Sequence, residues 1–97
     1  MKRGGHIYIM TNKRYGVLYI GVTGDLAARV SQHREGKGGD FTSKYRCTQS
    51  VYVEEHASIE ATIAREKAMK AWKREWKISA IEGQNPSWDD LYLKLIA

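Results

Sequence analysis

Residues 6–22 read His6-Ile7-Tyr8-Ile9-Met10-Thr11-Asn12-Lys13-Arg14-Tyr15-Gly16-Val17-Leu18-Tyr19-Ile20-Gly21-Val22, two β-prone runs around a turn-rich centre. The spacing predicts an antiparallel hairpin of His6–Met10 with Val17–Val22, joined by a loop over Thr11–Gly16. Strand side chains alternate between faces, so Ile7 and Ile9 fall with Leu18, Ile20 and Val22, while Tyr8 falls with Tyr19 and Gly21. One face of the hairpin is therefore aliphatic, and the other carries two phenols.

Downstream, Asp25 is a helix N-cap ahead of Leu26–Arg34, where Arg29 and His33 sit one turn apart on one side. A polar, glycine-rich loop is expected from Glu35 to about Arg46, then a third strand at Val51-Tyr52-Val53. Ser58 opens a long helix expected to reach about Arg74, with Ala61, Ala64, Ala68, Ala71 and Trp72 against the sheet and Glu66 at the core margin among Ile59, Ile63 and Met69. Further helix is expected at Trp76–Glu82, a turn at Asn85-Pro86, and a last helix from Trp88 to Leu95 capped by Ser87. The expected fold is α+β: a three-stranded antiparallel sheet packed with three to four helices, in a single domain over residues 1–97.

Ninety-seven residues hold one modest core. Sixteen Lys and Arg against eleven Asp and Glu give a net charge of +5, which favours a polyanionic partner. Cys47 is the sole cysteine, which excludes an intramolecular disulfide and a thiolate zinc cluster. Met1-Lys2-Arg3-Gly4-Gly5 leads straight into strand-like sequence without the apolar stretch of a signal peptide or membrane span, so a soluble, cytoplasmic protein is expected.

Hydrolysing a phosphodiester requires a base for the attacking water, positive charge on the phosphate, and stabilisation of the departing oxygen. Tyr8 is the candidate base and Tyr19 its neighbour, although cross-strand packing explains two tyrosines equally well. Arg29 offers a planar fork matched to phosphate, and a solvated surface charge is its ordinary alternative. His33, of a residue type whose reference pKa lies close to physiological pH, is a candidate to bond either phenol or share proton transfer; a partly exposed helix-end histidine without a role is the alternative. Glu66 is the candidate metal ligand, since one carboxylate, waters and substrate oxygens suffice for a single Mg²⁺ or Mn²⁺; an i,i+4 pair with Lys70 is the alternative. Lys37, Lys44, Lys67 and Lys70 are candidate phosphate contacts. Phe41 and Tyr45 are candidate stacking surfaces for DNA bases.

In order, Ile7-Tyr8, Tyr19-Ile20-Gly21-Val22-Thr23, Leu26–His33, Phe41-Thr42-Ser43-Lys44-Tyr45, Ala64-Arg65-Glu66-Lys67 and Asn85-Pro86-Ser87-Trp88 resemble the GIY-YIG nucleases over His6 to Leu91. The likeness is greatest to small stand-alone bacterial members similar to the nuclease module of the excision-repair subunit UvrC. The resemblance implies a one-metal DNA endonuclease, with Tyr8, Tyr19, Arg29, His33 and Glu66 catalytic, Gly21 structural, and Asn85 ordering a loop or water near the site. It also implies a role in DNA repair or recombination, with three alternatives for target choice: nicking with weak preference, recognition of DNA form such as single strands or branches, or an unidentified protein partner supplying specificity. His6 departs from the pattern, standing where the family's first tripeptide has glycine; on the tyrosine face it would either crowd the site or add a hydrogen bond. Two rivals remain open at this point: a degenerate nucleic-acid-binding module, and a protein-interaction domain presenting its basic helix.

Overall fold

In the computed structural model, which describes residues 4–96, the two tyrosine-bearing runs pair as the alternation requires; Met1-Lys2-Arg3, with two of the N-terminal charges, and Ala97 lie outside the described residues. Strand β1 (Gly5–Thr11) pairs antiparallel with β2 (Leu18–Thr23) in a register that sets Tyr8 opposite Gly21 and Met10 opposite Tyr19. The connecting loop is closed by the Asn12 side chain, which accepts from the Val17 N–H at 2.9 Å. Strand β3 (Gln49–His56) pairs with the other side of β1, giving the order β2-β1-β3, and a bulge between Ile9 and Met10 leaves Val51 as the extra residue. The third strand is thus longer at both ends than Val51–Val53.

Helix α1 (Leu26–Arg34) begins where the Asp25 carboxylate accepts from the Ala28 N–H at 3.2 Å. The glycine-rich segment expected to be loop throughout contains a short helix, α2 (Asp40–Lys44), which turns Thr42 inward. Helix α3 (Ile59–Lys70) starts at the Ser58 cap and ends four residues short of Arg74. A turn at residues 71–73 redirects the chain into α4 (Arg74–Gln84), so that Ile81 reaches the sheet core while the Arg74 guanidinium holds the carbonyls of Tyr15 and Gly16 at 2.7 and 2.6 Å. Trp88 does not open the last helix: it sits in a left-handed turn (φ 56°) with its ring buried, and α5 spans only Tyr92–Ile96 behind Asp90, which accepts from the Tyr92 N–H. The described residues thus hold five helices.

The sheet is covered on both faces. Ile7, Ile9, Ile20 and Val51 pack with Met69, Ile81 and Trp88 under α3 and α4. Tyr8, Met10, Val30 and Cys47 form the second cluster, flanked by Leu26 and Tyr92 from α1 and α5. Each buried aliphatic side chain contributes on the order of 2 kcal/mol. The sheet-facing stripe of α3 is Thr62, Glu66 and Met69 at helical spacing; of the row expected there, Ala61, Ala64, Ala68 and Ala71 are exposed, while Trp72, just past the helix, packs against the core as expected. Alanine buries too little surface to choose a helix's inner face against a methionine, and Thr62 bonds back to the Ser58 carbonyl.

The two sheet edges differ. Along β3, the Gln84 amide accepts from the Val53 N–H and donates to its carbonyl, Asn85 donates to the Val51 carbonyl, and Leu91 and Asp90 take up the backbone of Ser50. Among the described residues, no hydrogen bond from another element covers the backbone of β2 in this way.

Candidate active site

Tyr8 is the centre of a buried polar cluster. Its residue is 1% exposed, and its hydroxyl lies 3.0 Å from His33 Nε2 and 3.3 Å from Arg29 Nε, which donates to it. Gly21, paired with Tyr8, makes this possible, because a Cβ at that position would overlap the phenol ring and hydroxyl. The Tyr19 ring stands 6.3 Å from that of Tyr8 and 5.5 Å from the His33 ring, centroid to centroid. The helical spacing of Arg29 and His33 thus converts directly into two groups flanking one hydroxyl.

The α1–α2 connection holds this cluster from behind. Arg29 donates from Nη2 to the Gly38 carbonyl at 2.7 Å and from Nη1 to Gln32 at 2.8 Å. Gly38 also packs where a side chain would collide with the imidazole. On the far side of the ring, His33 Nδ1 is 3.0 Å from the Thr42 hydroxyl, which in turn donates to the Gly39 carbonyl at 3.4 Å. Burial, reinforced by the Arg29 charge, pushes His33 down to about 4, so the ring is neutral at physiological pH. One arrangement satisfies every member: Thr42 donates to Gly39 and accepts from Nδ1–H, leaving Nε2 to accept the Tyr8 O–H while Arg29 donates to the same oxygen. Burial raises the Tyr8 hydroxyl above its ordinary value, against the opposing Arg29 hydrogen bond. The phenol is therefore protonated at rest.

Sequence reasoning did not give Thr42 or Gly38 a role. Thr42 lies nine residues beyond His33, a separation with no local rule, and only the reversal of the chain through the glycines brings them together.

Glu66 shares no hydrogen bond or ion pair with this cluster among the described residues. Its side chain is 14% exposed on the inner stripe of α3, the helix that packs on β1 and β2, and it pairs with Lys70 at 3.5 Å. Lys70 in turn lines an open groove of about 280 Å³ with Leu18, Tyr19, Ile20, Phe41 and Lys77, which runs beside β2. The hard carboxylate oxygens of Glu66 suit a hydrated magnesium-type ion that takes its other ligands from water and phosphate. Among the described residues no three His, Cys, Asp or Glu side chains gather as a metal-binding group. Asn85 makes no hydrogen bond to Tyr8 or Tyr19; it is buried and ties the end of α4 to β3 and to the Asp89 backbone. His6 bonds Glu55 at 3.2 Å at the strand's far end and makes no hydrogen bond to Tyr8 or Tyr19. Lys37, Lys44, Tyr45, Lys67 and Lys70 are all exposed.

The sequence profile of the GIY-YIG catalytic domain matches residues 4–79, a span that takes in β1, β2, α1 and Glu66. The chain belongs to the GIY-YIG family. This is a nuclease family, whose substrates are nucleic acids and whose members generally use a divalent metal. The GIY-YIG chain is similar to a UPF0213 protein of Streptococcus sanguinis (35% identity over 81 residues, 75% of this chain and 93% of the relative). It is also similar to a UPF0213 protein of Staphylococcus epidermidis (31% over 77 residues, 79% and 94%) and to UPF0213 protein YazA of Bacillus subtilis (27% over 94 residues, 97% and 95%). No solved structure matches it. Among the described residues no helix is long and apolar enough to cross a membrane.

Proposed function

We propose that this GIY-YIG protein is a DNA endonuclease, acting as one domain, in which Tyr8 removes the proton from the attacking water. The observation that carries the reading is the Tyr8 hydroxyl held between a neutral imidazole nitrogen at 3.0 Å and a guanidinium N–H at 3.3 Å. A protonated phenol is a weak base, so it must pass its own proton on as it receives another. His33 Nε2 is the acceptor. As water oxygen bonds to phosphorus and the P–O bond to the leaving oxygen breaks, the water proton goes to Tyr8 and the Tyr8 proton to His33; the leaving oxygen takes its proton from solvent. Substrate binding drives this relay, because a phosphate pairing with Arg29 cancels the charge that contributes to holding His33 down. Arg29 then stabilises the charge growing on the phosphate. Tyr19 orients the water, and Thr42 keeps Nε2 turned toward Tyr8.

Glu66 would hold a single Mg²⁺ or Mn²⁺, which supplies Lewis-acid stabilisation of the phosphoryl oxygens when bound. Lys37, Lys44, Tyr45, Lys67 and Lys70 extend the contact along the DNA backbone. Gly21 and Asn85 serve the site by shape and by anchoring. In this reading the protein works in the cytoplasm, on DNA under repair or recombination, with a protein partner directing it.

The deciding experiment is a cleavage panel over single-stranded, duplex and branched DNA, and RNA, with Mg²⁺, Mn²⁺ or chelator. Cleavage by the parent that disappears in chelator, in Arg29→Ala and in Glu66→Ala is the expected result. A folded parent protein that leaves every DNA form intact with both metals overturns it.

A further inference from the structure

From the two tyrosines of the site an aromatic series runs outward to rings that the proposed proton transfers do not use. From buried Tyr8 and half-buried Tyr19 it continues to Phe41, whose ring centroid is 5.9 Å from Tyr19 with an interplanar angle of 30°, and then to Tyr45, 4.8 Å further on. Phe41 and Tyr45 are 44% and 40% exposed, although both belong to a segment whose Thr42 and Cys47 are buried. Rings of that size left in solvent beside a charged surface are a candidate binding feature. Phe41 forms one wall of the groove beside the uncovered β2 edge; Lys77 and Lys70, the latter paired with Glu66 at 3.5 Å, supply its charge. Lys44 stands over the Tyr45 ring, its ammonium 5.4 Å from the centroid. Trp76 is also exposed, but its aromatic partner is Trp72, not the tyrosine series.

We infer that Phe41 and Tyr45 form a stacking subsite for unpaired DNA bases flanking the scissile phosphate, so that the groove takes a single strand in preference to a duplex. The inference rests on the nuclease reading for the position of that phosphate. A duplex presents its backbone and base edges while its base faces are covered by neighbours; a ring offered beside the cleavage point finds a partner only where bases are unstacked. Lys77, and Lys70 beside Glu66, bring to the same groove the cationic charge that suits the backbone such bases carry with them.

The test is binding of the full chain in chelator, followed by fluorescence anisotropy with labelled oligothymidylate, a duplex of equal length, and oligouridylate. Single-stranded DNA binding tighter than duplex is expected. Phe41→Ala should weaken the single-strand complex roughly 5- to 100-fold, the range of one lost base–aromatic stack, with the salt slope and duplex affinity unchanged. Phe41→Trp should retain binding, and Tyr45→Ala should lose part of it. Lys70→Ala with Lys77→Ala should instead flatten the salt dependence. Circular dichroism establishes that each variant is folded. Equal affinity for duplex, Phe41→Ala and Tyr45→Ala variants that bind like the parent, tighter binding of oligouridylate, or equal binding of polyglutamate at matched salt would each overturn the subsite. Stacking-dependent binding by a parent that cleaves nothing keeps the subsite and removes the hydrolysis; cleavage indifferent to Phe41 and Tyr45 does the reverse.

Discussion

Two tyrosine–histidine–arginine constellations occupy opposite faces of the same sheet, and they are built to opposite ends. On one face, Tyr8, His33 and Arg29 surround a hydroxyl with no carboxylate among them, and the histidine is forced neutral. On the other, Tyr52, His56 and Arg65 all converge on the Glu54 carboxylate at 2.5, 2.6 and 2.9 Å. Burial alone would raise Glu54, but those three hydrogen bonds hold it at about 2, while burial and the same carboxylate push Tyr52 up to about 12. The second constellation is closed: Arg65 reaches Glu54 with two nitrogens and lies over the Trp72 ring. The first is open, because among the described residues its arginine meets neutral oxygens and pairs with no anion. The same three residue types thus neutralise a carboxylate on one face and, among the described residues, leave a guanidinium without one on the other.

The sharpest way to break this contrast is to remove the arginine from each. Arg29→Ala should cut DNA cleavage by about 10³-fold with little change in melting temperature, following the cost of losing a preorganised donor to a charged transition state. Arg65→Ala should do the reverse, leaving cleavage near the parent value and destabilising the fold by about 1–3 kcal/mol as Glu54 loses its charged partner, read from urea unfolding.

Acid titration separates the two faces next. His33 binds its proton less readily folded than unfolded, so its stabilising contribution is complete above the unfolded value of 6.5 and is lost as pH falls toward 4, by about 3 kcal/mol. Glu54 has a depressed folded value, so its contribution persists above 4.5 and is lost as pH falls from there toward 2. Unfolding free energy against pH should show two successive declines. His33→Gln should erase the upper one and Glu54→Gln the lower; a parent with a flat profile between pH 7 and pH 4 would refute the neutral buried imidazole.

The smallest effect tests orientation within the open site. Thr42→Val should lower cleavage about 10-fold and displace the acid limb of the pH–rate profile, because Nδ1 loses its acceptor and the imidazole is free to present the wrong tautomer. Thr42→Ser should restore both, which a change in packing alone would not achieve.

Much of this was legible before any coordinates. Alternation over His6–Val22 gave the hairpin and its two faces, since a strand's period of two leaves no freedom once one face is aliphatic. Asp25 and Ser58 announced their helices as caps, and the one-turn spacing of Arg29 and His33 placed them side by side. The inner face of α3 was misread because its buried stripe starts at Thr62, a polar residue that a hydrophobic pattern cannot select, although Glu66 lies at the core margin as its apolar neighbours indicated. Short α2 was hidden among glycines, and the contact from Thr42 to His33 depends on how those glycines turn. Glu54 escaped notice because the third strand was expected to stop at Val53; with β3 reaching His56, strand alternation puts Tyr52, Glu54 and His56 on one face, and only Arg65, from α3, is linked to them by no spacing rule.

The cover along β3 has a practical consequence for handling the protein. Gln84, Asn85, Asp90 and Leu91 all lie beyond residue 79, where the GIY-YIG match stops. A fragment trimmed to that match would keep the tyrosines, Arg29, His33 and Glu66, yet bare a strand of unpaired amides and carbonyls. Such a surface invites chains to add to one another edge to edge. Insolubility of the shortened piece would then speak to a lost seal, not to a failed catalytic fold.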